Sequence, residues 1–113
     1  SAPKLFPENC KIDWNENIDV IYNKIRGLNP FPSAWTFIKN DDEEISAKIY
    51  EVKKENESHN YPFGKIITSK KEIKVAVKKG YINIMTLKLS GKKKMDAQNL
   101  LNGFNFSKSA KMV

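Results

Sequence analysis

Ile73-Lys74-Val75-Ala76-Val77-Lys78-Lys79-Gly80-Tyr81-Ile82-Asn83-Ile84-Met85-Thr86-Leu87-Lys88-Leu89 is the stretch on which the fold turns. Ile73, Val75 and Val77 alternate with Lys74 and Lys78. That is the period-two pattern of a strand with one face in the core and one in water. Lys79-Gly80 makes a hairpin turn. The return run from Tyr81 to Leu89 is also apolar, but its phase slips between Ile84 and Met85. Such a slip predicts a β-bulge, or a strand bending round the corner of a barrel.

Upstream of the hairpin, Gly64-Lys65-Ile66-Ile67-Thr68 predicts a short strand. Residues 53–63 are polar and contain a proline, so they read as a loop. Ile45 to Val52 reads as a strand with Ile45, Ala47 and Ile49 on one face, and Trp35-Thr36-Phe37-Ile38 as another. Asn40-Asp41-Asp42-Glu43 is the turn between them. Before these strands Ile18, Ile21, Tyr22, Ile25 and Leu28 fall at helical spacing and form a core-facing apolar stripe. Asn15 or Asn17 caps that helix, and Asp19 suits the positive end of its dipole. Gly27 is expected to end it in the left-handed conformation, Pro30 forbids continuation, and Asn29-Pro30-Phe31-Pro32-Ser33 forms a rigid bend.

Downstream, Asp96 is expected to cap a short helix through Leu100-Leu101 that stops at Gly103. The fold class that follows is mainly β with flanking helices. A small OB-like β-barrel is preceded by one amphipathic helix and followed by a short C-terminal helix. Closure removes edges that a chain this short could not otherwise cover. Residues 1–11, with Pro3 and Pro7 and no periodicity, read as an extended linker from something upstream. Residues 12–106 form the domain, and residues 107–113 a flexible tail.

A chain of 113 residues with 40% apolar and 11% aromatic content is one globular domain rather than a disordered segment. No apolar run approaches the roughly 20 residues of a membrane span, and no secretory signal opens the chain. The single cysteine, Cys10, supports no disulfide framework, which fits a reducing cytoplasm and a cytoplasmic location. His59 is the only histidine, so neither a Cys/His pair nor a zinc site is indicated. The five glycines form no phosphate-cradling loop. Asp41, Asp42, Glu43 and Glu44 read as a solvated turn, Asp13 as a turn or cap residue, and Trp14, Trp35 and Phe37 as core. No catalytic, cofactor-binding or metal-binding residue is assigned.

Charge carries the functional signal. Residues 1–56 hold eight Lys/Arg against ten Asp/Glu, whereas residues 57–113 hold twelve lysines against Glu57, Glu72 and Asp96. Such asymmetry points to a polyanionic partner on one side, against the plainer reading that lysines keep a small domain soluble. Lys70, Lys74 and Lys78 fall at alternate positions and so project from one face. Lys88 leads into the run Lys92-Lys93-Lys94, and Tyr61, Phe63 and Tyr81 could add stacking.

Several motifs occur in a fixed order: Ile12-Asp13-Trp14, Ile25-Arg26-Gly27-Leu28, Pro30-Phe31-Pro32 leading into Ala34-Trp35-Thr36, and Pro62-Phe63-Gly64-Lys65-Ile66. Val75-Ala76 comes next, then Leu87-Lys88-Leu89-Ser90-Gly91-Lys92-Lys93 and Met95-Asp96-Ala97-Gln98. From Lys4 to about Phe104 the chain resembles the C-terminal domain of the methionyl-tRNA formyltransferase family. It departs in placing Phe63 between Pro62 and Gly64, where the family commonly has Pro-Gly.

The resemblance implies a parent enzyme that moves a formyl group from 10-formyltetrahydrofolate to the amino group of initiator methionyl-tRNA, within translation initiation. The implied Rossmann-like catalytic domain lies upstream in the same polypeptide, so no catalytic or folate-binding residue carries over and this chain alone should be inactive. The implied role here is a tRNA grip, with the protein a monomer. Lys4, Arg26, Lys88, Lys92, Lys93 and Lys94 match positions where the family tends to be basic, and Lys74, Lys78 and Lys79 join them on charge. Formyltetrahydrofolate hydrolases and sugar-nucleotide formyltransferases carry related domains and remain alternatives. So do a stand-alone OB-like module for single-stranded nucleic acid and a purely structural or dimerisation domain.

Overall fold

In a computed structural model, residues 6–113 are described. Lys4 therefore lies outside the described residues. Helix α1 (Ile18–Leu28) precedes strands β1 (Ala34–Asn40), β2 (Glu43–Asn56), β3 (Ile66–Thr68), β4 (Ile73–Val77) and β5 (Gly80–Leu89). A two-residue strand β6 (Met95–Asp96), helix α2 (Ala97–Gly103) and strand β7 (Lys111–Met112) complete the chain. The sheet runs β3-β4-β5-β2-β1-β7, with β6 paired to β5, and all its pairings are antiparallel.

The two ends of the sheet meet. Met112 N–H donates to the Gly64 carbonyl at 2.7 Å and Ile66 N–H to the Ala110 carbonyl at 3.0 Å, beside the strand that β7 forms with β1. The barrel expected from the sequence is therefore nearly closed. Residues 107–113, read as a tail, are its last stave, and Ala110 and Met112 are buried. Two residues with a lysine between buried neighbours carry too little pattern to announce a strand; only closure makes them one. Met112→Ala should cost about 2 kcal/mol, seen as a lower urea midpoint, because the cavity opens where the sheet joins itself.

The hairpin behaves as its pattern predicts. Lys79 turns the chain at φ 69°, and Ile73, Val75, Val77, Ile82 and Ile84 are buried together. The phase slip is real. Pairing between β2 and β5 shifts register between Ile49 and Glu51 and again before Val52, opposite Leu87, Thr86 and Ile84. The bulges bend both strands where the sheet curls. One reading needs correction: residues 53–56 are not loop, because β2 continues through Asn56 opposite Gly80.

Helix α1 starts as expected, with Asn17 Oδ1 accepting from Asp19 N–H at 2.8 Å. It buries Ile18, Ile21 and Ile25 against the barrel. Its end differs from expectation. Gly27 stays helical, the helix runs to Leu28, and the left-handed residue is Ser33 at φ 79°. Ser33 holds the bend by donating from N–H to the Leu28 carbonyl and from its hydroxyl to the Pro30 carbonyl.

At the other end Asp96 Oδ1 accepts from Asn99 N–H at 2.8 Å and caps α2. Asp13 makes a turn by accepting from Asn15 N–H. Residues 6–11 are not simply extended. Glu8–Cys10 form a short 3-10 turn, Cys10 is buried, and the Pro7 carbonyl accepts from Trp35 Nε1. Trp14 joins the barrel core and donates to Thr36 Oγ1 at 2.9 Å. Trp35, also read as core, is buried as expected, but it packs between Phe6 and Phe37 rather than in the main cluster inside the barrel.

Candidate nucleic-acid interface

Register places two lysines face to face. Lys48 on β2 pairs directly with Lys88 on β5, and on its other side with Trp35 on β1. Directly paired residues point to the same side of a sheet, so Trp35, Lys48 and Lys88 form a row across the outer face. Like charges set opposite each other destabilise a sheet unless an anion lies between them. Among the described residues neither lysine has a carboxylate partner.

Cations on aromatic rings extend the row. Lys11 Nζ lies 5.9 Å from the ring centres of both Trp35 and Phe37, and Lys48 Nζ 5.7 Å from Phe6. Lys94 Nζ sits 4.4 Å from the centre of the Tyr50 ring, and burial raises the pKa of that phenol. Arg26 and Lys54 both lie over Tyr22, at 5.2 and 5.1 Å. Lys54 is also paired with Asp19 at 2.6 Å, whereas Arg26 and Lys94 have no carboxylate partner among the described residues. A ring face holds a cation without neutralising it, so these charges remain available to an external anion.

The sequence-predicted residues therefore divide. Arg26, Lys88 and Lys94 share the outer face around β2 and β5, and the exposed Lys92 and Lys93 stand in the adjoining turn. Lys78 and Lys79 are exposed at the opposite end of the ten-residue strand β5, at most about 30 Å away at some 3.3 Å per residue. Lys70 lies in the turn before β4 rather than on that strand. Lys74 is engaged: it donates to Glu55 at 2.7 Å and sits 3.9 Å from Glu72. The buried Asn83 amide ties both carboxylates together at 3.0 Å each. Sequence reasoning missed Lys11 and Lys48. Their outward positions were legible, but their neighbours across the sheet were not.

Two outcomes follow from these charges. The hydrogen bond from Lys74 holds the Glu55 carboxyl below its usual range, and Glu55 in turn raises the Lys74 ammonium. A depressed carboxyl adds stability above its unfolded pKa and loses it as pH falls through the lower folded value; the raised ammonium adds stability at all pH below its unfolded pKa and loses it only as pH rises through the folded value in alkali. Lys74→Met should therefore flatten the acid-side fall in the urea midpoint between about pH 5 and pH 3. Separately, Lys88→Thr should stabilise the fold by a few tenths of a kcal/mol, by relieving the repulsion with Lys48. The same variant should bind polyanions less well, which parallel melting and RNA-binding titrations will read.

The described residues include no cluster of three His, Cys, Asp or Glu side chains placed to hold a metal, and no helix is long and apolar enough to cross a membrane. The sequence profile described as "Formyl transferase, C-terminal domain" matches residues 4–105. The chain is 54% identical to a methionyl-tRNA formyltransferase of Flavobacterium johnsoniae, over 99% of its own length and 36% of that protein's. It is 52% identical to the enzyme of that name from Flavobacterium psychrophilum, over 97% of this chain and 35% of the relative. For Bacteroides thetaiotaomicron the figures are 43%, 98% and 35%. The chain thus spans about a third of the length of the curated relatives it matches. With this barrel, this order of motifs and these relatives, the chain belongs to the formyl transferase C-terminal domain family.

Proposed function

We propose that this chain is the tRNA-gripping domain of a cytoplasmic methionyl-tRNA formyltransferase. The observation that carries the reading is the opposed pair Lys48–Lys88, continued by Lys94 and Arg26 on their tyrosine rings. A fold that sets unneutralised cations side by side gives up some stability in doing so, and a phosphate backbone restores it by lying between them. Contacts of that kind position an RNA without reading its sequence.

In this reading the remaining two-thirds of the polypeptide holds the Rossmann-like catalytic domain. The formyl group comes from 10-formyltetrahydrofolate and passes to the amino group of initiator methionyl-tRNA. We assign no folate-binding and no catalytic residue to this chain; its part is to hold the RNA body while the acceptor end reaches the active site. A single-strand module would present aromatics among its free cations. Here Trp35 and Tyr50 are buried beneath those cations, which favours a folded RNA.

The test is binding of this chain to folded initiator tRNA across a salt series, with unstructured RNA of equal length as competitor. Steep salt dependence with preference for the folded tRNA is expected. Equal or better binding to the unstructured RNA, or no binding at low salt, would overturn the reading.

A further inference from the structure

Between α2 and the turn that joins β3 to β4 lies an open hollow of about 510 Å³. Its apolar surface comes chiefly from Phe104 and Phe106, which meet edge to face at 4.9 Å and are only half-buried, so part of each ring stays open. Three exposed amides line it as well. Gln98 and Asn102 are four residues apart and so share one face of α2, and Asn105 comes between the two phenylalanines in sequence. An amide donates and accepts at once, whichever way round it lies. The turn contributes Lys70 and Lys71, both exposed and neither with a carboxylate partner among the described residues. Among the described residues that line the hollow none is a carboxylate. Neighbouring Glu72 is engaged elsewhere, accepting from Asn83 at 3.0 Å and standing 3.9 Å from Lys74.

Both walls are held in place before any ligand arrives. The buried Asn40 pins residues 105–107, donating to the Asn105 carbonyl at 3.1 Å and accepting from Ser107 N–H at 2.8 Å. Ser69 holds the lysine turn: its N–H donates to the Glu72 carbonyl at 3.0 Å, and its hydroxyl accepts from Glu72 N–H at 3.1 Å. A bare phosphate would leave the rings unused, and an apolar group would leave the amides and lysines unused. A nucleotide uses all three, with a flat base to stack, a polar base edge and a phosphate. We infer that this hollow takes a single unpaired nucleotide of an otherwise folded RNA. Its base stacks on the Phe104–Phe106 pair, Gln98, Asn102 and Asn105 meet the base edge, and Lys70 and Lys71 take its phosphate. A free nucleotide carries the same groups, but the path of the chain favours RNA. Strand β6 leads from Lys94 straight into α2, so Gln98 is four residues and at most about 14 Å from Lys94, and one RNA spans both. The inference rests on the RNA-binding reading for the source of the nucleotide and goes beyond it, because the grip touches phosphates and this hollow touches a base.

The experiment compares binding of two RNA hairpins with the same stem, one carrying a single bulged adenosine and the other an abasic ribose at the same bulge. Charge and length are equal, so only the base differs. The unaltered chain should bind the adenosine hairpin about tenfold more tightly, the effect of one stacked base. Phe106→Leu keeps an apolar side chain against the core but loses the ring face, so it should remove most of that preference and leave binding of the abasic hairpin unchanged. Gln98→Ala with Asn102→Ala, both exposed and away from the core, should lower the preference about threefold. Lys70→Ala with Lys71→Ala should weaken both hairpins alike. Equal binding of the two hairpins by the unaltered chain, or a preference that survives both Phe106→Leu and the double amide change, would overturn the subsite and leave the tRNA grip standing. If the unaltered chain binds neither hairpin nor tRNA, the grip falls and adenosine monophosphate alone decides the subsite. Shifted ring-proton signals of Phe104 and Phe106 would then keep it, for a free nucleotide, and unmoved signals would overturn it.

Discussion

Gly80→Ala should cost this domain about 3 kcal/mol or more and lower its melting temperature by roughly 10–20 °C. A Cβ at position 80 would lie 2.0 Å from the carbonyl oxygen of Glu55 and 3.0 Å from Ile18 Cδ1. The first obstacle is backbone, held in the β2–β5 ladder, where Gly80 is the direct partner of Asn56. It cannot swing aside as a flexible side chain would. Relief requires parting the longest strand pair in the barrel, or lifting α1 from it. Gly27→Ala makes the opposite case. A Cβ there meets nothing within 4 Å, and the residue is helical, so the change should stabilise the domain by about 0.5–1 kcal/mol. Thermal melts of the two variants beside the parent chain read both signs. A Gly80→Ala domain that melts with the parent would mean that β2 and β5 do not approach as described.

Replacing Lys92, Lys93 and Lys94 together by alanine should weaken tRNA binding roughly 100-fold, taking about 1 kcal/mol per lost charged contact. All three are exposed in the turn after β5, and Lys94 reaches back over Tyr50. Because such contacts fall on phosphates, the loss should be nearly uniform across tRNA species. The slope of log affinity against log salt should fall by about one unit for each contact removed. The fold should be unaffected, since none of the three has an ion-pair partner among the described residues. An unchanged slope would remove this turn from the binding surface. Lys78→Ala with Lys79→Ala, at the far end of β5, gives a second measurement: a tRNA lying along the strand will register it, and one confined to the Lys48–Lys94 end will not.

What the sequence disclosed and what it withheld have one physical cause. Period-two alternation is local, so β4, the Lys79-Gly80 turn and the slip at Ile84–Met85 were legible from residues 73–89 alone. Helical spacing and the caps at Asn17 and Asp96 are local as well. The extension of β2 through Lys53-Lys54-Glu55-Asn56 was not legible, because polar residues there owe their strand to β5 opposite. Lys74 looked like a free cation for the same reason. Asn83 faces it across the hairpin and Glu55 reaches it from a third strand, so its ion pair exists only once three strands are in register. Lys48 is the converse, ordinary in the sequence and exceptional only beside Lys88.

The stave formed by β7 also sets an order of events during synthesis. Lys11 Nζ donates to the carbonyl of Val113, a residue 102 positions later. Strand β1 must likewise wait for Met112 before its outer edge is covered. On the ribosome, then, the hairpin and α1 can assemble from neighbours while the barrel stays open. Contacts this distant in sequence slow folding, because the loop they close must be ordered before they reward it. Until residues 110–113 clear the exit tunnel, β1 and the Gly64 segment present unpaired edges. That is the interval in which a chaperone, or a second nascent copy, has something to bind.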